Sequence, residues 1–314
     1  MAIDVFSFPK TTGNADVFYF QGSSAVSGSD WIVWEKPRGK TMIDILLVGK
    51  GGNGGNGAIG AVSTAAGGGG GGSGGQTRLT MPLALLPDYL YISLAGLSAT
   101  TTLASYITIQ PKLTAGAGAP AVNDTLMIAN GGGNGGNAAG ATVGALGAAG
   151  AIATAGTMPL GWAYATALIG HGGLAGNATG ASANLAIPLT GLMVTGATGG
   201  AGLGNAGSTG AAAGTLTGGG VFPSLAGGTA AGSQTVAPGR GQDGYRPVQG
   251  LIYGYGGTGG GSTGGAPTGA GLTQAGGGNG APGCGGGGSG GAFTGSAAAT
   301  GGLGGPAFCF ITVW

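Results

Sequence analysis

Residues 42–48 read Met-Ile-Asp-Ile-Leu-Leu-Val, and residues 49–57 read Gly-Lys-Gly-Gly-Asn-Gly-Gly-Asn-Gly. The first run is apolar and partly β-branched, as is typical of a short buried β-strand. The second run offers almost no side chains with which a strand could pack against a core. This junction separates two kinds of structure, and both kinds recur along the chain.

Runs of the first kind predict β-strands, because they are short, apolar or aromatic, and bounded by turn-forming residues. No segment shows the sustained periodicity of an α-helix. The predicted strands cover residues 17–20, 31–34, 42–48, 76–81, 89–94, 106–110, 125–129 and 307–314. Because aromatic runs occur near both ends, we expect the terminal strands to pair or to share one β-layer.

Glycine dominates the composition, with 83 of 314 residues, whereas an average protein contains about 7% glycine. Charged residues make up 5%, and the net charge of +1 gives no reason to expect nucleic acid or an anionic membrane as partner. Disordered chains are polar and charged, but 42% of these residues are hydrophobic. The composition therefore favours an ordered chain.

The charges define the predicted organisation of the chain. Fourteen of the seventeen charged residues lie at or before Asp124, and the next one is Arg240. We expect a β-rich scaffold or attachment region over residues 1–129 and a glycine-rich region over residues 130–306. Residues 307–314 form a strand that returns to the scaffold.

The glycines recur at intervals of three residues, as in Gly144, Gly147 and Gly150. A left-handed polyproline II helix has three residues per turn, so this spacing places the glycines on one bare edge where another backbone can approach. The phase resets often and only 14 residues are proline, which excludes a collagen triple helix. The predicted fold is mostly β and irregular: a β-sandwich-like scaffold with a packed bundle of polyglycine II-type helices and almost no α-helix. The alternative is a set of flexible linkers; in the packed reading, Gly147 and Gly207 are packing sites.

Motifs that would indicate catalysis are incomplete. The match to G-x-G-x-x-G at 49–54 lacks the helix and the acidic residue that a dinucleotide site needs. Lys40 and Thr41 resemble the end of a P-loop, but Trp34 occupies the position of its first glycine. His171 is the only histidine and has no acidic neighbour in sequence, and Asp30 with Glu35 fits solvated strand ends better than a carboxylate pair. We therefore predict no enzymatic activity, no cofactor and no metal site.

The two cysteines, Cys284 and Cys309, are too few for a disulfide framework; they are either unpaired or form one bridge. The first residues lack the features of a signal peptide. Residues 151–170 are uncharged but interrupted by Pro159 and diluted by small residues, so we predict no membrane insertion.

The change from strand to glycine tract within residues 30–75, and the glycine-rich run that ends in an apolar strand within residues 276–314, resemble glycine-rich phage tail-fibre and adhesin proteins. The resemblance implies a β-scaffold from which polyglycine II helices emerge, with loops at the tips that bind a host surface. It implies a virion protein, assembled in the host cytoplasm and extracellular after release. Its partners would be other virion proteins and a host glycan or outer-membrane protein, and the protein would be a homo-oligomer, with a trimer as one option. The alternatives are a virion decoration or minor structural protein, and a non-viral glycine-rich surface or ice-binding protein.

Large side chains are rare in the uncharged centre, and those present are candidate binding residues. Aromatic and arginine side chains contribute much of the binding energy at interfaces, and stiff turns lower the cost of ordering them. In a fibre, the turns that carry these side chains would lie far from the β-scaffold. The alternative is that Trp162 and Tyr164 fill the space between helices. The predicted binding residues are Trp162, Tyr164 and His171 in this centre and a second group, Arg240, Tyr245 and Arg246, between Pro238 and Pro247.

Overall fold

A computed structural model gives the fold of most of the chain. Asp30 and Gly207, which the sequence singled out, lie outside the described residues. The described residues are 15–23, 31–61, 64–97, 103–111, 119–188, 194–203, 210–218, 223–231, 237–246, 254–263, 275–295, 297 and 299–314.

These residues form β-strands, three short 3-10 helices and irregular chain, and they contain no α-helix. The strands are β1 Asp16–Gln21, β2 Ile32–Glu35, β3 Met42–Val48, β4 Ile59–Gly60, β5 Gln76–Pro82, β6 Tyr89–Ser93, β7 Ser105–Thr108, β8 Thr125–Ala129, β9 Ala165–Leu168, β10 Leu185–Ala186, β11 Leu216–Thr217, β12 Ala292–Phe293 and β13 Phe308–Val313. The 3-10 helices are Leu83–Leu85, Val122–Asp124 and Trp162–Tyr164. The prediction of a mostly β and irregular chain with almost no α-helix is confirmed. Within this part of the chain, no helix has the length and apolar character needed to span a membrane.

Two antiparallel sheets contain the longer strands. One has the order β1-β13-β3-β5-β9, and the other has the order β2-β6-β7-β8. β13 lies between β1 and β3, so that Cys309 is opposite both Phe20 and Leu47. The expected pairing of the strands near the two ends is therefore present. The fifth strand, β9, comes from within the predicted glycine-rich region and was not predicted.

The main apolar core lies between these two sheets. Alternate residues of β3, namely Ile43, Ile45 and Leu47, point into it, because successive side chains of a strand face opposite sides. The four-stranded sheet contributes Leu90 and Ile107 from β6 and β7. The packed sheets thus form a β-sandwich.

Part of the outer face of the five-stranded sheet is also covered. Leu46, Val48 and Phe308 form a second cluster there with Val194 and Cys284 from the glycine-rich chain. β3 is therefore buried on both faces from Ile45 to Val48, which explains why its sequence is almost continuously apolar.

Beyond the ends of β3 and β5, extended glycine-rich segments lie side by side and are joined by backbone hydrogen bonds. The bonds recur at every third residue: Gly52 N–H donates to Gly72 O at 2.8 Å and Gly55 N–H donates to Gly69 O at 2.7 Å. A residue that lies between two such bonding positions along the chain directs its own backbone N–H and C=O groups towards other segments. The glycine-rich chain is thus cross-connected in several directions.

Segment 66–75 is enclosed by other segments, and its residues 67–75 are glycine except for Ser73. A Cβ atom at Gly71 would overlap the carbonyl oxygen of Gly52, so a side chain has no room there. Its backbone is hydrogen-bonded to six other segments, which are 49–57, 130–138, 144–151, 170–177, 194–203 and 283–292.

Segment 283–292 has the same environment, and it is also nearly all glycine. Six segments again surround it, and they are 49–57, 66–75, 194–203, 254–263, 275–281 and 299–306. Glycine is therefore densest where a segment has neighbours on every side.

Side-chain oxygens take the place of backbone acceptors at other positions in these segments. Thr195 Oγ1 accepts the N–H of Gly256 at 2.7 Å, and Thr198 Oγ1, three residues later, accepts the N–H of Gly259 at 2.8 Å. A buried N–H without an acceptor would cost about 1–3 kcal/mol. The Ser, Thr and Asn residues within glycine tracts thus help to satisfy the backbone.

Candidate binding surfaces

Trp162 and Tyr164 lie in a 3-10 helix that leads directly into β9. β9 is an edge strand of the five-stranded sheet, where Ala165 pairs with Leu79 of β5. The expectation that this turn lies far from the β-scaffold is wrong, because the four residues after it pair with the sheet. The two side chains are 43% and 44% exposed, so they do not fill an internal space either.

His171 belongs to segment 170–177, next to segment 66–75. Its backbone N–H donates to Ser73 Oγ at 2.8 Å, and its Nδ1 accepts the N–H of Gly196 at 3.4 Å. Partial burial lowers the pKa of the imidazole below its ordinary value. The contacts given to His171 therefore lie within the glycine-rich framework.

Arg246 packs against aromatic rings on the outer face of the five-stranded sheet. Its guanidinium carbon lies 4.7 Å from the ring centre of Phe308 and 5.5 Å from that of Tyr19. Its Nη2 also donates to Tyr19 Oη at 3.4 Å. Desolvation raises the pKa of Tyr19, and the charge of Arg246 opposes this effect. The cation–π contacts fix the end of segment 237–246 to the sheet.

Tyr245 lies beside Tyr255, with ring centres 5.4 Å apart. Tyr255 is fully buried, and burial, with a smaller contribution from Tyr245, raises its pKa to about 12. Tyr245 is 41% exposed, so it presents part of its ring at the surface.

Arg240, at the start of the same segment, is exposed and pairs with Asp243 at 3.0 Å. It lines an open groove of about 850 Å³, which we call the Asn-lined groove. The residues around the groove are Asn53, Gly54, Asn56, Asn134, Gly135, Gly136, Asn137, Arg240, Gly276, Gly277, Asn279, Thr300, Gly301, Gly302 and Leu303.

The floor of the Asn-lined groove is a layer of five neighbouring segments. Backbone hydrogen bonds join each segment to the next; for example, Gly135 N–H donates to Asn53 O at 2.7 Å and Gly280 N–H donates to Leu303 O at 2.8 Å. The order across the layer is 130–138, 49–57, 299–306, 275–281 and 237–246.

The asparagine side chains of this layer accept backbone N–H groups of neighbouring segments. Asn134 Oδ1 accepts the N–H of Asn53 at 2.9 Å, and Asn137 Oδ1 accepts that of Asn56 at 2.8 Å. Asn279 Oδ1 accepts the N–H of Leu303 at 2.9 Å. Because only the amide oxygen can accept these bonds, they fix the orientation of each side-chain amide.

The sequence predicted Arg240 as a binding residue, but the asparagines were not predicted. The available signal was their spacing, because Asn53 and Asn56, like Asn134 and Asn137, are three residues apart within glycine tracts. No hydrogen bond, ion pair or ring contact between described residues joins Trp162 or Tyr164 to the group around Arg240. The predicted binding residues thus lie at separate places.

No protein-family model matches the chain, and no curated protein matches it either. In the part of the chain that the structure describes, no group of three or more His, Cys, Asp or Glu side chains could hold a metal ion.

Both cysteines are buried free thiols on opposite faces of the five-stranded sheet. Burial raises the pKa of Cys284 to about 12 and also raises that of Cys309. Thiol reagents attack the thiolate, so at pH 8 we expect the folded protein to react with neither cysteine. The measurement is colorimetric thiol labelling, with the guanidinium-unfolded chain as control, in which both cysteines should react. Rapid labelling of the folded chain would contradict the burial.

Proposed function

We propose that this chain is a phage virion protein of the tail-fibre or tip-adhesin kind, which binds the host cell surface without catalysing a reaction. In this proposal the β-sandwich anchors the chain. The glycine-rich segments are polyglycine II-type helices packed side by side, and they hold the binding surface rigidly.

The observation that carries the proposal is the hydrogen bonding of segments 66–75 and 283–292, each to six neighbours, with a repeat of three residues. Polyglycine II helices would have this repeat, and the bare edges of glycine allow such close packing. Flexible linkers would not be cross-bonded in this way. A block of this kind contributes stiffness inside and leaves larger side chains for its surface, as a host-binding fibre requires.

The proposed partners are other virion proteins and a glycan or outer-membrane protein of the host, and the proposed assembly is a homo-oligomer such as a trimer. The exposed Trp162, Tyr164 and Tyr245 fit a role in these contacts, since aromatic side chains contribute strongly to interfaces.

Immunogold electron microscopy tests the proposal on intact particles of a phage that encodes the chain. We expect antiserum against the purified protein to label the tail or its tip and to block adsorption to host cells; preimmune serum is the control. Labelling of the head with normal adsorption would instead identify a decoration protein. Particles without label would overturn the proposal.

A further inference from the structure

We infer that the Asn-lined groove binds an extended glycan chain through its side-chain amides. This inference deepens the proposed function and rests on it for the source of the glycan, which is the host cell surface. Nothing in the sequence patterns assigned this groove, and only Arg240 among its lining residues was a predicted binding residue.

The asparagine amides of the groove bond to the backbone through their oxygens. The Oδ1 atoms of Asn56, Asn134, Asn137 and Asn279 accept backbone N–H groups. Among the described residues, their Nδ2 atoms have no acceptor. An amide whose oxygen faces the backbone turns its nitrogen the other way, so the groove presents a row of N–H donors.

Two of the amide donors are regularly spaced along one segment. Asn134 and Asn137 are three residues apart on one extended segment, which corresponds to about 9 Å at the rise of a polyproline II helix. Asn56 lies on the adjacent segment and bonds to Asn137 through its own backbone N–H. One row with this repeat, with a further donor beside it on the adjacent segment, suits a long ligand with regularly placed oxygen acceptors, such as a chain of sugar rings.

The groove has little apolar or charged character. Among the described residues that line it, Leu303 is the only large apolar side chain, so these residues lack the apolar anchors of a protein–protein interface. Arg240 is the only cation among them and is paired with Asp243, so a nucleic acid backbone would find little charge to neutralise. The groove therefore suits polar acceptors without strong charge, and the hydroxyl and ether oxygens of polysaccharides are acceptors of this kind.

The amides of the groove are preorganised for binding. The amides are held by hydrogen bonds of 2.8–3.0 Å to the neighbouring backbone, and the segments below them are themselves cross-bonded. Binding therefore needs little ordering of side chains, which is a main cost of association.

Substitution of asparagine by aspartate removes an amide N–H donor of the groove but keeps the side-chain oxygen that accepts the backbone N–H. In N134D/N137D, each Oδ1 still accepts its backbone N–H, but the groove loses two amide donors. The matched control is N184D, because Asn184 is exposed and its Oδ1 accepts the N–H of Thr215 at 2.8 Å outside the groove. Each purified protein is applied to host cells and to a printed array of bacterial lipopolysaccharides, capsular polysaccharides and cell-wall glycans, and its melting temperature is recorded.

We expect the wild type and N184D to bind the same glycan, and N134D/N137D to bind it at least tenfold more weakly with an unchanged melting temperature. Equal binding by all three proteins would overturn the groove as the site. If the wild type binds host cells but no glycan, the inference fails and the proposed function stands. If it binds neither, both fail.

Discussion

Gly71→Ala is expected to lower the free energy of unfolding by at least about 3 kcal/mol, because its Cβ would overlap the carbonyl oxygen of Gly52. Gly71 N–H donates to Gly286 O and its carbonyl accepts from Ala197 N–H, both at 2.9 Å, so the segment has no free side towards which it could move. Separating these segments would leave buried backbone groups without partners.

Thermal and urea denaturation measure this loss, with Gly180→Ala as the matched control. Nothing lies within 4 Å of a Cβ built at Gly180, so the control should unfold like the wild type. Gly147→Val should also be destabilising by more than about 1 kcal/mol, since a Cβ there would overlap Gly133 O. If Gly71→Ala and Gly180→Ala melt together, the tight packing of segment 66–75 is wrong.

Deletion of residues 307–314 is expected to leave the protein insoluble. β13 occupies an interior position of the five-stranded sheet, and Phe308, Ile311 and Val313 are fully buried. Burying three such side chains contributes on the order of 5 kcal/mol or more, a large part of the stability of a typical domain. The deletion would also expose unpaired edges of β1 and β3, which favours aggregation.

The measurement is the soluble fraction after expression, compared with Trp314→Ser. Trp314 is 43% exposed, and the substitution retains the backbone carbonyl that accepts N–H groups from Thr41 and Met42. We expect this control to remain soluble. A soluble deletion variant with normal melting would show that β13 is dispensable.

Most of the sandwich could be predicted from the sequence because its strands are apolar, aromatic or β-branched. β3 and β8 begin and end where the sequence indicated, at Met42–Val48 and Thr125–Ala129. β9 reads Ala-Thr-Ala-Leu, and its small residues give no strand signal. Its place in the sheet depends on pairing with β5, which no local pattern encodes.

The candidate surfaces were predicted less well than the sandwich. A large side chain in a glycine-rich stretch stands out in sequence, but its partners come from distant parts of the chain. Arg246 was expected at an exposed tip, whereas it packs on Tyr19 and Phe308. The spacing of three residues between glycines indicates that an extended segment has a bare edge, but it does not indicate which other segment lies against that edge. The domain boundaries at residues 129 and 306 remain predictions.

Segment 66–75 is hydrogen-bonded to six other segments, and this has a consequence for how the protein folds. Gly71 bonds to Gly286, and β1 pairs with β13. Residues near the start of the sequence therefore have hydrogen-bonding partners more than 200 positions later. Such distant pairing slows folding, since long loops must close before their contacts form. The framework can be completed only after residues 283–313 have been synthesised, and until then the earlier glycine tracts lack some of their hydrogen-bonding partners. Cooling the culture, which slows synthesis and weakens hydrophobic aggregation, should therefore raise the folded yield.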